Sequence, residues 1–227
     1  MSLDTARARA AIFDRIRLNQ GRDANAASGE RQAAADYLAS HACGPRPAID
    51  RDRVDRFRAM SERMASTVQT VARVADAPAA VAAYLAAHGL PARAVVWPAL
   101  ASLGWHAAGI EAEARAPHVD ESQGRDAVGI TGVFCALAET GTLVLLSGPD
   151  SPASTHLLPE THVAVVPASR VVASMEDAFA LMRSERGGLP RAVNMVSGPS
   201  RTGDIEQTIV LGAHGPYRVH ILIAAAE

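Results

Sequence analysis

The run from Thr67 to Trp97 reads strand, helix, strand, and it limits the possible folds more than any other feature of the chain. Thr67 to Val74 is a β-branched run suited to a strand. Asp76 and Pro78 supply a helix start, Val81, Tyr84 and Leu85 an apolar face, and Gly89 a stop. Ala94 to Trp97 follows as a second, buried strand. Two strands joined through a helix over roughly thirty residues lie parallel, because antiparallel neighbours need only a short turn. The class is therefore α/β.

The flanking segments extend that unit. Val54, Phe57, Met60, Met64 and Val68 recur at spacings of three and four, the mark of a helix that packs one face. Val128 to Leu137 and Thr142 to Leu146 are apolar runs joined by Glu139-Thr140-Gly141, which predicts a hairpin or tight bend. His162 to Val166, Val193 to Val196 and Tyr217 to Ile223 read as further strands. A helix over Met175 to Arg186 has Ser174 as its cap, Asp177 three residues on, and Gly187 closing it. The expected architecture is a mixed, mostly parallel sheet flanked by helices. Residues 5 to 19 form a short amphipathic helix with Ile12, Phe13 and Ile16 on one face. Gly21 to Asp50 reads as a linker with one helical piece around Glu30 to His41. The division is thus 1–49, helix and linker, and 50–227, the main domain.

Composition removes whole classes of chemistry. All 22 basic residues are arginine, so neither a Walker-type phosphate loop nor a lysine Schiff base is available. Any anion must be held by arginine, backbone N–H groups or hydroxyls. A net charge of -2 and 4% aromatics offer neither a basic field nor a stacking platform for nucleic acid. Cys43 and Cys135 are the only cysteines, too few for a disulfide framework or a cysteine-ligated cluster within this chain. The charged N-terminal residues do not resemble a signal peptide, and Ala94 to Ile110 is too short and mixed to span a bilayer. No membrane insertion is expected, and the location expected is the cytoplasm.

Three polar segments interrupt apolar surroundings. Glu139, at the end of an apolar run and followed by Thr140, Gly141 and Thr142, is a candidate general base or nucleophile. The same residues also make a plain turn in which Gly141 takes a positive φ. Ser197, Gly198, Ser200, Arg201 and Thr202 would cradle a carboxylate or phosphate beyond a strand end, or form a proline-containing turn. His214 precedes Gly215-Pro216, first of all a turn. Cys135 reads as an inert buried thiol. No metal site is expected; a zinc or iron site from His156, His162, His214 and His220 is a minor alternative.

Five motifs in order carry a resemblance. They are Gly129-Ile130-Thr131-Gly132, Ala138-Glu139-Thr140-Gly141-Thr142, Leu158-Pro159-Glu160-Thr161-His162, Ser197 to Thr202 with Asp204-Ile205-Glu206, and Gly212-Ala213-His214-Gly215-Pro216. Together they resemble the LUD (lactate utilization) domain, and the whole chain resembles the lactate utilization protein C family. The resemblance implies a fold like that of the sugar-phosphate isomerase and CoA-transferase superfamily. It also implies a role in oxidising L-lactate to pyruvate beside iron–sulfur partner proteins, with no cofactor in this chain. Members of this type lack the cluster cysteines, which agrees with the two isolated ones here.

Three functions follow as expectations. The first is an accessory subunit of a lactate-oxidising system that binds a small carboxylate or phosphate ligand. The second is a stand-alone enzyme acting on a small carboxylate, CoA ester or sugar phosphate through Glu139, since related CoA transferases use a glutamate nucleophile. The third is a ligand sensor. In all three, Glu139 and Arg201 face one cleft, with Ser200, Thr202 and His214 as secondary contacts.

Overall fold

Asp52 accepts hydrogen bonds from the N–H groups of Val54 and Asp55 and so starts the helix that opens the main domain. The computed structural model describes residues 5–21, 28–49, 52–118, 125–187, 190–203 and 210–226. Its helices are α1 (Ala6–Asn19), α2 (Ser28–Ser40), α3 (Arg53–Arg63), α4 (Ala77–Ala87), α5 (Ser154–Leu157) and α6 (Met175–Arg186). Its strands are β1 (Thr67–Arg73), β2 (Arg93–Val96), β3 (Glu111–Glu113), β4 (Val128–Thr131), β5 (Cys135–Leu137) and β6 (Thr142–Leu146). They continue with β7 (Thr161–Pro167), β8 (Val171–Val172), β9 (Val193–Val196), β10 (Arg201–Thr202), β11 (Val210–Leu211) and β12 (Arg218–Ala226).

Packing divides the chain into two units, Met1–Pro45 and Arg46–Glu227. In the first, α1 buries no residue, and Phe13 carries the guanidinium groups of Arg9 and Arg17 at 4.8 and 6.0 Å from its ring. In the second, a six-stranded sheet has the order β1-β12-β7-β4-β2-β3, every pair parallel. A second sheet of order β8-β5-β6-β9 pairs β5–β6 and β6–β9 antiparallel and β5–β8 parallel, and β10 and β11 form a separate antiparallel pair. A parallel sheet needs both faces covered. One face packs on α4, where Val81, Tyr84 and Leu85 meet Val128, Ile130, Val163, Val165 and Leu222. The other face packs on the second sheet, through Ala164, Val166, Ile221 and Ile223 against Ala136, Leu143 and Leu145, with Phe57 of α3 in the same layer. On the outer side of the second sheet, α6 seats Ala178 and Met182 against Cys135, Leu137 and Val144.

The expected helices and strands of the main domain are present, and the Glu139–Gly141 bend joins β5 to β6 as an antiparallel hairpin. Ser174 and Asp177 form a capping box on α6, and Gly187 closes it at a φ of 68°. One reading needs correction. Val128 to Leu137 is not one strand but two, β4 in the parallel sheet and β5 in the second, with Gly132, Val133 and Phe134 crossing between them. Both pieces are buried on both faces, so the apolar run is continuous even where the chain changes sheets. Val68, read as part of the helix face, lies in β1. Among the described residues, no helix is long and apolar enough to cross a membrane.

Candidate functional site

The chain leaves β2 for β3 on one side of the parallel sheet, and leaves β4, through the second sheet, for β7 on the other. Strand order reverses between β2 and β4, and open α/β sheets form their crevice beyond the carboxyl ends at such a point. A cavity of about 750 Å³ lies there. Trp97 after β2, Gly132 after β4, Pro167 at the end of β7 and Val74 after β1 line it from the parallel sheet. Phe134 and the turn from Ser147 to Ser151 close it from the second sheet, and Arg186 and Gly187 from the end of α6.

The walls are largely apolar, with few charged groups. Arg186 has its guanidinium 5.9 Å from the Phe134 ring and makes no ion pair among the described residues. Arg170, on the same ring at 4.9 Å, is already held by Glu185 at 2.7 and 3.0 Å. Ser147 and Ser151 spend their hydroxyls on the wall itself, at Ala192 N and Leu146 O. Trp97 donates its indole N–H to Pro152 O at 3.1 Å, which pins the turn across the sheet. A pocket of this size takes a drug-sized ligand. A three-carbon acid, roughly four waters in volume and on the order of 120 Å³, would fill only a part of it.

Behind Trp97 lies a buried polar cluster. The His156 ring stands edge-on to the indole, with centroids 6.3 Å apart, and 5.8 Å from the ring of His162. His162 Nε2 is 2.8 Å from Thr131 Oγ1, while its Nδ1 and both ring nitrogens of His156 have no partner among the described residues. Burial lowers the His156 pKa to about 4; burial and then the neighbouring His156 lower that of His162 to about 3. Both imidazoles are therefore neutral near pH 7.

The candidates from the sequence lie elsewhere. Thr140 and Thr142 have their hydroxyl oxygens 2.7 Å apart, and Thr142 reaches Ser197 Oγ at 2.6 Å. Gly141 has a φ of 68°, and a β carbon there would lie 2.3 Å from Ser61 N, so this bend presses on the end of α3. Gly198 presses on the next turn of chain in the same way, with a β carbon 2.0 Å from Met64 O. Ser200 donates its N–H to Pro216 O at 2.9 Å, and His214 N–H reaches Ser200 Oγ at 3.4 Å. Met64 precedes β1 and Pro216 precedes β12, so these residues gather at the amino edge of the parallel sheet. The strand before Ser197 is β9, in the second sheet, so the carboxyl-end rule does not apply to this segment.

Glu139 is half-buried, donates its N–H to Ala173 O, and makes no side-chain hydrogen bond or ion pair among the described residues. Arg201 is exposed in β10, and Thr202 beside it is buried. Among the described residues no hydrogen bond or ion pair joins Glu139, Arg201 and His214, and none of the sequence candidates lines the cavity. Asp204, Ile205 and Glu206 lie outside the described residues. Of the four histidines weighed as metal ligands, His156 and His162 come together. His220 instead stacks on Tyr84 at 3.8 Å, and no group of three or more potential ligands forms among the described residues.

The cavity residues had one signal in the sequence. Ser147-Gly148-Pro149-Asp150-Ser151 follows an apolar strand with the same turn chemistry as Ser197-Gly198-Pro199-Ser200. Only the second is followed by an arginine, so it alone reads as an anion cradle in the sequence. Trp97 and Arg186 carry no local signal, because they meet only through the crossing of the two sheets.

Fold and cavity define an α/β protein with its pocket at the switch point of a parallel sheet. The chain belongs to the LUD domain family, which matches residues 54–224. Lactate utilization protein C of Geobacillus kaustophilus is 41% identical over 99 residues, 42% of this chain and 41% of that one. The protein of the same name in Bacillus subtilis is 39% identical over 101 residues, 43% of this chain and 42% of that one. An uncharacterized protein of Neisseria meningitidis is 37% identical over 94 residues, 41% and 40% of the two chains. The chain thus spans about two fifths of the length of these curated relatives. A crystal structure of a DUF162 family protein from Deinococcus radiodurans superposes with a TM-score of 0.60 at 23% identity, covering 79% of this chain and all of that one. At that identity the likeness establishes the fold alone.

Proposed function

We propose that this protein serves in lactate utilization as a subunit that binds a small anionic ligand, beside partner proteins whose iron–sulfur clusters take the electrons as L-lactate is oxidised to pyruvate. The observation that carries the reading is the cavity at the β2–β4 switch point, with Arg186 in its wall and in no ion pair among the described residues. A guanidinium suits a carboxylate or phosphate, and the chain has no lysine to do the same work. The names of the relatives supply the metabolic context. The chain has only two cysteines, and in this reading the cysteine-ligated clusters are carried by the partner proteins. A cytoplasmic location goes with this role.

The direct test is co-purification with the iron–sulfur partner proteins under anaerobic, reducing conditions, followed by an assay of lactate-dependent reduction of a dye. The expected result is a complex whose activity needs this chain. Full activity of the partners without it would overturn the reading.

A second reading keeps one observation in its favour: Glu139 is half-buried and its side chain has no hydrogen bond or ion pair among the described residues, which leaves its carboxylate available as a nucleophile. It makes the chain an enzyme on its own, acting on a small carboxylate, CoA ester or sugar phosphate. Turnover by the single purified chain, lost in Glu139→Gln with the fold intact, is the outcome it demands.

A further inference from the structure

We propose that the switch-point cavity takes an organic anion with a single acidic group on a drug-sized apolar body, and that Arg186 holds the acid. The inference rests on the preceding reading of the cavity as an anion site and adds which kind of anion that site fits.

Size comes first. The cavity measures about 750 Å³, against the order of 120 Å³ for a three-carbon acid, so a ligand that fills it has several times that bulk. The walls then ask for an apolar body. Trp97, Leu100, Val133, Phe134, Leu146 and Val165 line the cavity. Pro149, Pro167 and Pro190 add wall with no backbone N–H to donate. The hydroxyls of Ser147 and Ser151 are engaged with Ala192 N and Leu146 O, and the Trp97 indole N–H with Pro152 O. A polyhydroxylated ligand such as a sugar would give up water here for few hydrogen-bond partners.

Charge sets the other end of the ligand. Among the described residues that line the cavity only Arg186 and Asp150 are charged, one of each sign. Neither makes an ion pair among the described residues. One acidic group can meet Arg186, whose fork of N–H donors matches a carboxylate. A second negative charge would find no second cation among these residues, and Asp150 would repel it. That sets aside ligands with several phosphates. The Arg186 guanidinium stands 5.9 Å from the Phe134 ring, so cation and apolar wall meet at one place. An acid and the apolar group that carries it would touch both at once.

The probe is anilinonaphthalene sulfonate, a monoanion of this build whose emission rises as it leaves water, titrated into the folded full-length chain. Phenylnaphthylamine, the same body without the sulfonate, is the uncharged control. The expected result is one saturable site per chain, lost in Gly132→Phe and in Ala99→Trp, which fill the cavity from two walls. Ala99 is exposed, so its replacement leaves the core untouched. Arg186→Gln is expected to weaken the sulfonate at least about fivefold and the uncharged control by less than about twofold. L-Lactate should fail to displace the probe even in large excess. Binding that survives Ala99→Trp and Gly132→Phe, or an equal effect of Arg186→Gln on the two probes, would overturn the proposal. So would displacement of the probe by lactate at comparable concentration, which would return the cavity to the small acid. Loss of this selectivity with chain-dependent lactate oxidation intact would sink the ligand class alone. Selectivity intact while the partners oxidise lactate fully without this chain would sink the proposed role instead.

Discussion

A β carbon on Gly129 would lie 1.9 Å from the carbonyl oxygen of Thr155, so the backbone of α5 rests directly on β4. That contact sets the height of His156 above the sheet and brings its ring to 5.8 Å from His162. The same neighbour, Thr155, also limits what the strand tolerates.

Gly129→Ala therefore cannot be accommodated by a side-chain rotation, because the obstacle is backbone. The expected loss is about 2–3 kcal/mol, at the upper end of overpacking costs. Urea denaturation measures it; a loss under about 0.5 kcal/mol would mean that α5 does not sit on the strand.

Gly198→Ala meets two obstacles together, a φ of 78° and a β carbon 2.0 Å from Met64 O. Gly203, where an added β carbon meets nothing within 4 Å among the described residues, serves as the control. Gly198→Ala is expected to destabilise the protein by about 2–4 kcal/mol and Gly203→Ala by less than about 1. Equal effects in the two would remove the close approach of the Ser197–Ser200 segment to the end of α3.

Acid should weaken the fold earlier than carboxylate titration alone would. Burial lowers the pKa of His156 and His220 to about 4 and that of His162 to about 3, against 6.5 for a free imidazole. Between pH 6.5 and 4 the unfolded chain thus binds more protons than the folded one, so stability falls as the pH falls through that window. The expected loss from pH 7 to pH 5 is about 1–2 kcal/mol per imidazole. Stability curves at the two pH values check it; an unchanged midpoint would contradict the burial of all three rings.

The two thiols should differ in reactivity. Cys135 is buried in β5 and burial pushes its thiol up to about 11, whereas Cys43 is exposed. Under native conditions a thiol reagent should label one equivalent quickly, and the second only on unfolding. Fast labelling of both would show that α6 does not cover β5.

Much of the main domain was legible because its signals are local. The Ser174–Asp177 box and Gly187 bound α6 within the sequence itself, and Pro78 and Gly89 do nearly the same for α4. The break at Gly132 was not legible: β4 and β5 are equally apolar, and only the partner strands differ. The cavity was hidden for the same reason. Trp97, Gly132, Ser147 and Arg186 come from four separate segments and converge only once two sheets have packed. The turn residues were legible as turns. What sequence alone did not reveal is that Gly141 and Gly198 serve close approach to α3, a contact spanning 80 residues for Gly141 and Ser61.

The central claim is that the switch-point cavity is needed for lactate utilization. Gly132 lines the cavity, and among the described residues a β carbon there meets only the Trp97 ring, at 3.9 Å, so Gly132→Phe would fill the space with little strain on the backbone. Lactate-dependent dye reduction, reconstituted with the iron–sulfur partners, is the measurement. The account predicts activity with the wild-type chain and its loss with Gly132→Phe, with Tm and complex formation retained. Undiminished lactate oxidation with the cavity filled would contradict it.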